Sequence, residues 1–364
     1  MRLKLRLMKL TEKRKRRLNY ILFSFMVICM TPLLERGRVL SGASSKNAFA
    51  GEELTCVIDL GNDMYDSEGL KTGFSYELLN RFAKDNSCSI KILIPNSVED
   101  YQDSLENGSV DILITSTSDA TIAERANIRQ LDNHTLWAVS KHETQKARSL
   151  DVWMSHIKGS QSYSDLQKKY YRTFNPHKRA RKNMISATVS PYDDLFRKYA
   201  AELGWDWRML AAVVYQESRF SINSVSHRGA VGLMQVMPQT AGTYGINDLV
   251  NPEKNLKAGT SHLKRLQKMM VRNGIEGDEL VKFTLAAYNA GEGRIADCRR
   301  FAECLNADSR KWSEITALIP QMREDSILEN KDIKLGKFQG FETIAYVENV
   351  MSLYDSICAI HPSR

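Results

Sequence analysis

The chain has 364 residues, which is enough for two domains that each bury a core of their own. Its formal net charge of +8 equals the excess of nine Lys or Arg residues over one Glu within residues 1–17, so the rest of the chain is electrically balanced. A balanced remainder argues against nucleic-acid binding by the folded part of the protein.

An uncharged stretch, LNYILFSFMVICMTPLL, follows the basic block at residues 18–34. Its length suits either a short membrane anchor or a signal peptide, and the flanking charges disfavour a core helix of a cytosolic domain. The positive-inside rule leaves residues 1–17 in the cytoplasm and sends the remainder across the membrane. We therefore expect a periplasmic protein that is associated with the inner or the outer membrane.

Export permits disulfide bonds, and five of the six cysteines lie outside the uncharged stretch. Cys298 and Cys304 are close enough in sequence for a local bridge, although two free thiols fit the sequence equally well. The sequence contains neither a CxxC pair nor a histidine cluster with metal-ligand spacing, so we expect no metal and no cofactor.

Residues 52–174 alternate between strand and helix patterns. Short apolar strands are predicted at LTCVIDL, SIKILIP and VDILITS, with helices at GFSYELLNRFAKDN and VEDYQDSLENG. This alternation predicts an α/β domain with a mostly parallel sheet covered by helices.

The segments GFSYELLNRFAKDNSCSIKI and DSLENGSVDILITSTSDATIAER are similar to the first lobe of periplasmic amino-acid-binding proteins, solute-binding-protein family 3. The resemblance implies that Arg125 contributes to a site for a ligand carboxylate, with a muropeptide as the candidate ligand. The chain departs from the family at Ile122, where a hydroxyl is common, and it lacks a recognisable second lobe. One lobe supplies half of a cleft, which favours peptide or wall contact over tight binding of a small molecule.

Residues 175–190 are polar and basic and are predicted to link two domains. Beyond them the pattern is helical, and residues 191–360 are expected to form an all-α domain. The predicted helices cover residues 192–203, 207–220, 252–273, 278–289 and 342–359.

The apolar run MLAAVVYQESRF, residues 209–220, has the 3.6-residue period of a buried helix and places Glu217 in its last turn. Helix carbonyls point toward that end and burial disfavours charge, so both effects raise a carboxyl pKa. Glu217 is therefore a candidate general acid, and the alternative is an ordinary surface glutamate beyond the core.

Four ordered segments, YQESRF, SVSHRGAVGLMQVMPQTA, AAYNAG and ETIAYVENV, together resemble the catalytic domain of family 1 lytic transglycosylases. The resemblance covers about residues 185–360 and is close to the membrane-bound lytic murein transglycosylase F subgroup. It implies a goose-lysozyme-like helical fold, so the whole chain is predicted to be an α+β multidomain protein.

The resemblance also implies the reaction. Glu217 would protonate the leaving oxygen between MurNAc and GlcNAc in peptidoglycan glycan strands, with help from the substrate's acetamido group, and then act as a base to form a 1,6-anhydro-MurNAc end. The residues that the resemblance places around the substrate are Ser226, Met234, Gln235, Tyr288, Asn289, Glu342 and Tyr346.

Two other functions fit the sequence less well. A muramidase would admit water to the same cleft, but the motifs contain no second carboxylate for the usual hydrolytic scheme. A catalytically silent wall-binding or sensory protein would have no need for the complete set of motif residues.

Overall fold

This computed structural model describes residues 47–60, 65–66, 69–95, 101–116, 122–131, 135–171, 174–324, 327, 331 and 333–362. The basic block and the uncharged stretch predicted at residues 18–34 lie outside these ranges. Within them, no helix combines the length and the apolar character needed to cross a bilayer. The chain divides into two compact units, residues 1–50 and 51–364, and the second unit carries both the sheet and the helical half described below.

The first half of the second unit contains the sheet. Its strands are β1 (Glu53–Asp59), β2 (Tyr65–Asp66), β3 (Gly69–Leu70), β4 (Ser89–Leu93), β5 (Ile112–Ser116), β6 (Ala126–Gln130) and β7 (Thr135–Ser140). Its helices are α1 (Lys71–Asn86), α2 (Tyr101–Glu106), α3 (Ile122–Arg125), α4 (Thr144–Lys158) and α5 (Gln161–Tyr170).

The main sheet has five strands in the order β4-β1-β5-β7-β6. Strand β1 pairs in parallel with β4 and β5, whereas β7 is antiparallel to both β5 and β6. The prediction of a mostly parallel sheet is therefore wrong for half of the pairings. The four residues between β6 and β7 are too few for the crossover that a parallel pair requires, so these strands pair as antiparallel neighbours.

Helix α1 covers the sheet through a stripe of apolar side chains at helical spacing. Phe74, Leu78 and Phe82 are fully buried on this stripe. The ring of Phe82 meets the edges of Trp137 on β7 and Trp153 on α4, which joins the helix, the sheet and the next helix in one core.

The second half is helical. Its elements are α6 (Pro176–Arg181), α7 (Asp193–Leu203), α8 (Trp207–Ser218), α9 (Pro238–Gly242), α10 (Pro252–Arg272), α11 (Gly277–Ala290), α12 (Glu292–Cys304), α13 (Trp312–Leu318), a 3-10 turn (Ile319–Arg323) and α14 (Phe341–Ile360). All five predicted helices are present, and the α+β fold class is confirmed. The sequence analysis missed α9, α12 and α13. Gly291 caps the end of helix α11, and α12 begins directly after this glycine.

Helix α6 lies inside the segment that was predicted to be a linker. Asn175 caps its first turn by accepting a hydrogen bond from the backbone of Lys178, and Pro176 occupies the first helical position. The helix packs along α14, where His177 Nδ1 lies 2.9 Å from Ser356 Oγ. The segment is therefore packed against the helical half.

Buried hydrogen bonds connect the sheet to the helical half. Asn223 Nδ2 donates to the carbonyl oxygen of Ile58, at the end of β1, over 2.9 Å. The hydroxyls of Thr72 on α1 and Ser221 lie 3.2 Å apart. All four residues are buried, so the two halves share a desolvated polar contact.

Among the described cysteines, the buried Cys298 and the exposed Cys304 are not joined by a disulfide bond. Of the two alternatives left open by the sequence, the structure therefore has two separate thiols.

Candidate active site

Helix α8 places Glu217 at the boundary between the core and the surface. Leu210 and Val214 are fully buried, which fixes the apolar face of the helix against the protein interior. The helix ends one residue after Glu217, and Arg219 and Phe220 follow with left-handed backbone angles (φ 53° and 68°). These two residues turn the chain sharply, so the carboxyl group stays at the helix end.

The carboxyl group of Glu217 is partly buried and has one phenolic partner. Tyr346, which is buried on α14, donates a 2.6 Å hydrogen bond from its hydroxyl to Glu217 Oε1. Burial raises the pKa of Glu217 from 4.5 to about 7, and the hydrogen bond from Tyr346 opposes this rise because it favours the ionised form. Glu217 therefore changes its protonation state close to neutral pH.

A tightly folded loop, residues 224–236, lies beside Glu217. Its backbone forms bridges from Val231 to Val225 and to Val236. The fully buried Asn255 on α10 secures the loop: its Oδ1 accepts from the backbone N–H of Met234, and its Nδ2 donates to the carbonyl of Val231. The Asn255 side chain thus adds hydrogen bonds to loop backbone groups in the interior, beside the bridges that the loop forms within itself.

Three positions in this loop, Gly229, Gly232 and Gln235, have left-handed backbone angles. At Gly232 (φ 78°) a Cβ atom would collide with the amide of Asn255, so only glycine fits there. Gln235 (φ 47°) donates from Nε2 to the carbonyls of Ser224 and Gly232, at 2.9 and 3.0 Å. The predicted site residue Gln235 therefore also stabilises the loop.

Ser226 lies at the tip of the same loop and caps a turn. Its Oγ accepts a 3.0 Å hydrogen bond from the backbone N–H of Ala230. Ser226 also lines a cavity of about 530 Å³, together with Ile94 and Pro95, which follow strand β4. The hydroxyl proton of Ser226 is not used in this turn, so it can be donated to a ligand.

Tyr288 on α11 connects the loop to the surroundings of the carboxyl group. Its hydroxyl donates a 2.7 Å hydrogen bond to the carbonyl oxygen of the fully buried Met234. Burial, followed by the negative charge of Glu217, raises the pKa of Tyr288 well above its ordinary value. The ring of His262 lies 5.6 Å from the Tyr288 ring and extends the aromatic surface.

Asn289 and Glu342 are placed differently from each other. Asn289 accepts a 2.9 Å hydrogen bond at Oδ1 from the hydroxyl of Thr343, a buried residue in the first turn of α14. Glu342 is exposed in the same turn, where a negative charge is favourable at the helix N-terminus. The helix thus brings Thr343 and Tyr346 to the site, while a substrate role for Glu342 stays a prediction.

Arg125 lies in the sheet-containing half, at the end of α3. Its guanidinium donates a 2.7 Å hydrogen bond to Asp103 on α2, and both side chains are largely exposed. This ion pair uses part of the hydrogen-bonding capacity of the guanidinium, so a ligand carboxylate would have to compete with Asp103.

Three contributing residues were missed by the sequence analysis. Ser218 anchors the loop by donating to the carbonyl of Leu233 over 2.8 Å, and its place beside Glu217 was a signal for it. Thr343 adjoins a predicted residue and could have been found in the same way. Asn255 gave no signal, because its partners lie 21 and 24 residues away in the sequence.

The arrangement provides one carboxyl group that can both donate and accept a proton near pH 7. Burial and Tyr346 account for its shifted pKa, and no second carboxylate among the described residues contributes to it. The described ranges also contain no group of three or more His, Cys, Asp or Glu side chains that could hold a metal ion. These features suit proton transfer by a single side chain.

Part of the helical half matches a known protein family. Residues 194–308, which include Glu217, the loop and Tyr288, match the family model described as the transglycosylase SLT domain. The helical half contains a transglycosylase SLT domain. The resemblance noted from the four sequence segments is confirmed for this domain, and the similarity of residues 52–174 to a solute-binding lobe stays a prediction.

Curated relatives match part of this chain and extend beyond the matched region. The membrane-bound lytic murein transglycosylase F of Haemophilus influenzae (strain PittEE) is 36% identical over 179 residues, which are 49% of this chain and 36% of that protein. Its namesake in Photobacterium profundum is 29% identical over 262 residues, which are 69% of this chain and 50% of that protein. The chain thus spans half or less of the length of these relatives.

A solved structure of the 70 kDa soluble lytic transglycosylase from Escherichia coli also aligns with the chain. It has 24% sequence identity and a TM-score of 0.31, and the alignment covers 59% of this chain and 33% of that one.

Proposed function

We propose that the protein is a peptidoglycan lytic transglycosylase that cleaves the bond between MurNAc and GlcNAc without consuming water. The observation that carries the proposal is Glu217 at the end of α8, with a pKa near 7 and a 2.6 Å hydrogen bond from Tyr346. The SLT domain match and the names of the relatives support the same reaction class.

In the first step Glu217 is protonated and transfers its proton to the bridging oxygen as the bond from C1 of MurNAc to that oxygen breaks. Positive charge then develops at C1. Because no second carboxylate among the described residues influences Glu217, the acetamido oxygen of the same sugar is the group assigned to stabilise that charge. Tyr346 donates to the carboxylate that remains, which stabilises the ionised form as the proton leaves.

In the second step Glu217 takes the proton from the 6-hydroxyl of the same MurNAc ring. The oxygen of that hydroxyl bonds to C1 and closes the 1,6-anhydro ring, which returns Glu217 to its protonated state. A pKa close to the working pH suits a group that must serve first as an acid and then as a base.

The substrate surface is assigned to the elements around Glu217. Ser226 and Gln235 lie in the loop of residues 224–236, Tyr288 is hydrogen-bonded to that loop, and Asn289 is oriented by Thr343. Met234, which the sequence analysis placed at the substrate, is fully buried and supports the loop from inside. The other groups combine an aromatic ring with amide and hydroxyl groups, a composition suited to sugar rings.

Mass spectrometry of the products tests the proposal. The full chain and a Glu217→Gln variant are incubated with purified sacculi, and the released muropeptides are weighed. We expect 1,6-anhydro-MurNAc ends from the wild type and none from Glu217→Gln. Glu348→Gln, which changes an exposed acid on α14 close to Tyr346, is the matched control and should retain activity.

Two other outcomes would point elsewhere. Products heavier by one water would identify a muramidase. Binding to sacculi without any product from either protein would identify a wall-binding protein.

For the location of the protein, we propose a periplasmic enzyme that is held at a membrane by residues 18–34. The uncharged stretch after nine basic residues supports this assignment, as does the word membrane-bound in the names of the relatives. Alkaline extraction of membranes tests it, because a spanning segment resists extraction, whereas a cleaved signal peptide releases the protein and leaves a new N-terminus that sequencing identifies.

For the sheet-containing half, we propose that Arg125 contributes to a weak site for the carboxylate of a muropeptide. Calorimetric titration with a muropeptide tests this assignment, and Arg125→Ala should abolish the heat of binding. An unchanged titration would exclude Arg125 from any such site.

A further inference from the structure

The segment that joins the two halves carries an unbalanced positive charge. Residues 166–192 contain no Asp or Glu and seven Lys or Arg, although the chain beyond residue 17 is balanced overall. The seven are Lys168, Lys169, Arg172, Lys178, Arg179, Arg181 and Lys182. Such a local excess creates a positive surface that the proposed catalytic site does not use.

Three of these cations lie exposed on one short element. Lys178 and Arg181 are in α6, and Lys182 follows it directly. None of the three has an ion-pair partner among the described residues, unlike Lys169, which pairs with Glu77. The contact between His177 and Ser356 holds the element in place, so the three charges are displayed from a packed scaffold.

Two apolar side chains are exposed immediately after these charges. Met184 is 45% exposed and Ile185 is 76% exposed, among the large apolar residues that the protein leaves in water. The backbone at Met184 is secured by a 3.0 Å hydrogen bond to the carbonyl of Arg179. We call Lys178, Arg181, Lys182, Met184 and Ile185 together the α6 surface.

The apolar character continues beyond Ile185. This residue borders a groove of about 890 Å³ whose wall includes Trp205 and Trp207. The guanidinium of Arg197 lies 4.3 Å from the centre of the Trp207 ring, so the groove also combines aromatic and cationic groups.

We propose that the α6 surface binds the anionic phospholipid surface of a membrane. Basic side chains next to exposed aliphatic groups, with the half-buried Trp205 and Trp207 in the adjoining groove, match the layered chemistry of such a surface, in which phosphates lie above acyl chains. A polymer of carboxylates would interact with the cations but would leave Met184 and Ile185 in water. The folded part therefore has a membrane contact of its own, which is independent of residues 18–34 and goes beyond the proposed reaction.

The experiment separates this contact from the N-terminal segment. A protease site is inserted at residues 44–46, before the described part of the chain, and the full protein is reconstituted in vesicles of phosphatidylglycerol and phosphatidylethanolamine. After cleavage, flotation measures the fraction of the released part that stays on the vesicles. We expect most of it to stay at low salt and to dissociate at about 0.5 M salt, a concentration at which such charges are screened.

Two variants test the two components of the surface. Lys178→Glu, Arg181→Glu and Lys182→Glu combined should lower vesicle binding by at least about tenfold, because each basic group near an anionic membrane contributes substantially. Met184→Ser combined with Ile185→Ser should lower it by about fivefold or more without changing the charge.

The matched control makes the same change in net charge on another face of the protein. Lys257→Glu, Lys268→Glu and Arg272→Glu replace exposed cations of α10 and should leave vesicle binding within about twofold of the wild type. An equal loss in this control would overturn the proposal, because net charge alone would then govern binding. Equal retention on neutral phosphatidylcholine vesicles, or binding to lipid-free sacculi with the same dependence on the α6 surface, would also overturn it.

Catalytic failure can be distinguished from failure of this proposal. The melting temperature shows that each variant is folded. The release of muropeptides from soluble peptidoglycan fragments, with no vesicles present, measures the catalytic activity of the SLT domain separately. Loss of vesicle binding with an unchanged melting temperature is the expected result, whatever the catalytic assay gives.

Discussion

The hydroxyl of Tyr346 donates a 2.6 Å hydrogen bond to Oε1 of Glu217, although the two residues lie 129 positions apart in the chain. The contact crosses from α14 to α8, which pack against each other along their lengths. The phenol opposes the effect of burial on the carboxyl group, so the pKa of Glu217, about 7, is a balance between two elements of the fold.

Removing the hydroxyl of Tyr346 should change the pKa of Glu217. In Tyr346→Phe the carboxylate loses its donor, so the pKa of Glu217 should rise above about 7 and the pH optimum of muropeptide release should shift upward. A hydrogen bond to a charged group contributes about 1.5–3 kcal/mol, so turnover at neutral pH should fall by about 10- to 100-fold. A pH profile identical to that of the wild type would show that the phenol does not control the carboxyl group.

Glu217 should also make stability depend on pH. Its pKa is raised from 4.5 to about 7 in the folded protein, so its contribution to stability is fully present below about pH 4.5 and is lost as the pH rises through about 7. Glu217→Gln imitates the protonated form and should therefore be more stable than the wild type at pH 8. Since the side chain is only partly buried, we expect about 1 kcal/mol, or about 3 °C in melting temperature.

The measurement is a pair of thermal melts at pH 5 and pH 8. At pH 5 the folded wild type is already protonated at Glu217, so the difference should shrink. A difference of the same size at both pH values would contradict the assignment of the raised pKa to Glu217.

Asn255 should be essential for the loop of residues 224–236. Asn255→Ala removes the hydrogen bonds to the N–H of Met234 and the carbonyl of Leu249 and leaves these two backbone groups without a partner in the interior, whereas the carbonyl of Val231 keeps its bond from Val236. Each unpaired group costs about 1–3 kcal/mol, so the free energy of unfolding should fall by at least about 2 kcal/mol. Urea denaturation measures this change, with Asn273→Ala, at the exposed end of α10, as a control that should lose less than about 1 kcal/mol.

Asn223 should couple the sheet to the SLT domain. Asn223 lies six residues after Glu217 in the chain. Asn223→Ala removes the buried hydrogen bond to the carbonyl of Ile58 and should lower both the stability and the turnover. We expect a loss of about 1–3 kcal/mol in the free energy of unfolding. Asn80→Ala, which removes an exposed bond within α1, is the control. Equal effects of the two substitutions would show that the contact between the halves has no special role.

Thr343 should act through Asn289. Thr343→Val keeps the shape of the side chain and removes the donor to Asn289 Oδ1, so the amide can rotate. Muropeptide release should show a KM raised by about fivefold or more with a smaller change in kcat, because a hydrogen bond is worth about 1 kcal/mol. Thr316→Val, at the surface of α13, is the matched control, and an identical KM in both variants would remove Asn289 from the substrate site.

Local patterns predicted five helices of the helical half, namely α7, α8, α10, α11 and α14. The periodic apolar residues of α8 predicted both its burial and the place of Glu217 in its last turn, and the structure agrees. Short elements such as α9 and α13 were missed because a few residues carry too little periodic signal. The sheet was misjudged for a different reason: strand direction depends on which strands become neighbours, and β7 enters between β5 and β6.

The sequence by itself determined the residue types of the site and their order along the chain, because four separated segments resemble one known domain. Only the tertiary structure decided how these residues meet. It brought Tyr346 to Glu217, used Asn255 to hold the loop of residues 224–236, and paired Thr343 with Asn289. Hydrogen bonds of this kind join side chains from distant elements, and packing of those elements, which no local pattern encodes, sets their geometry.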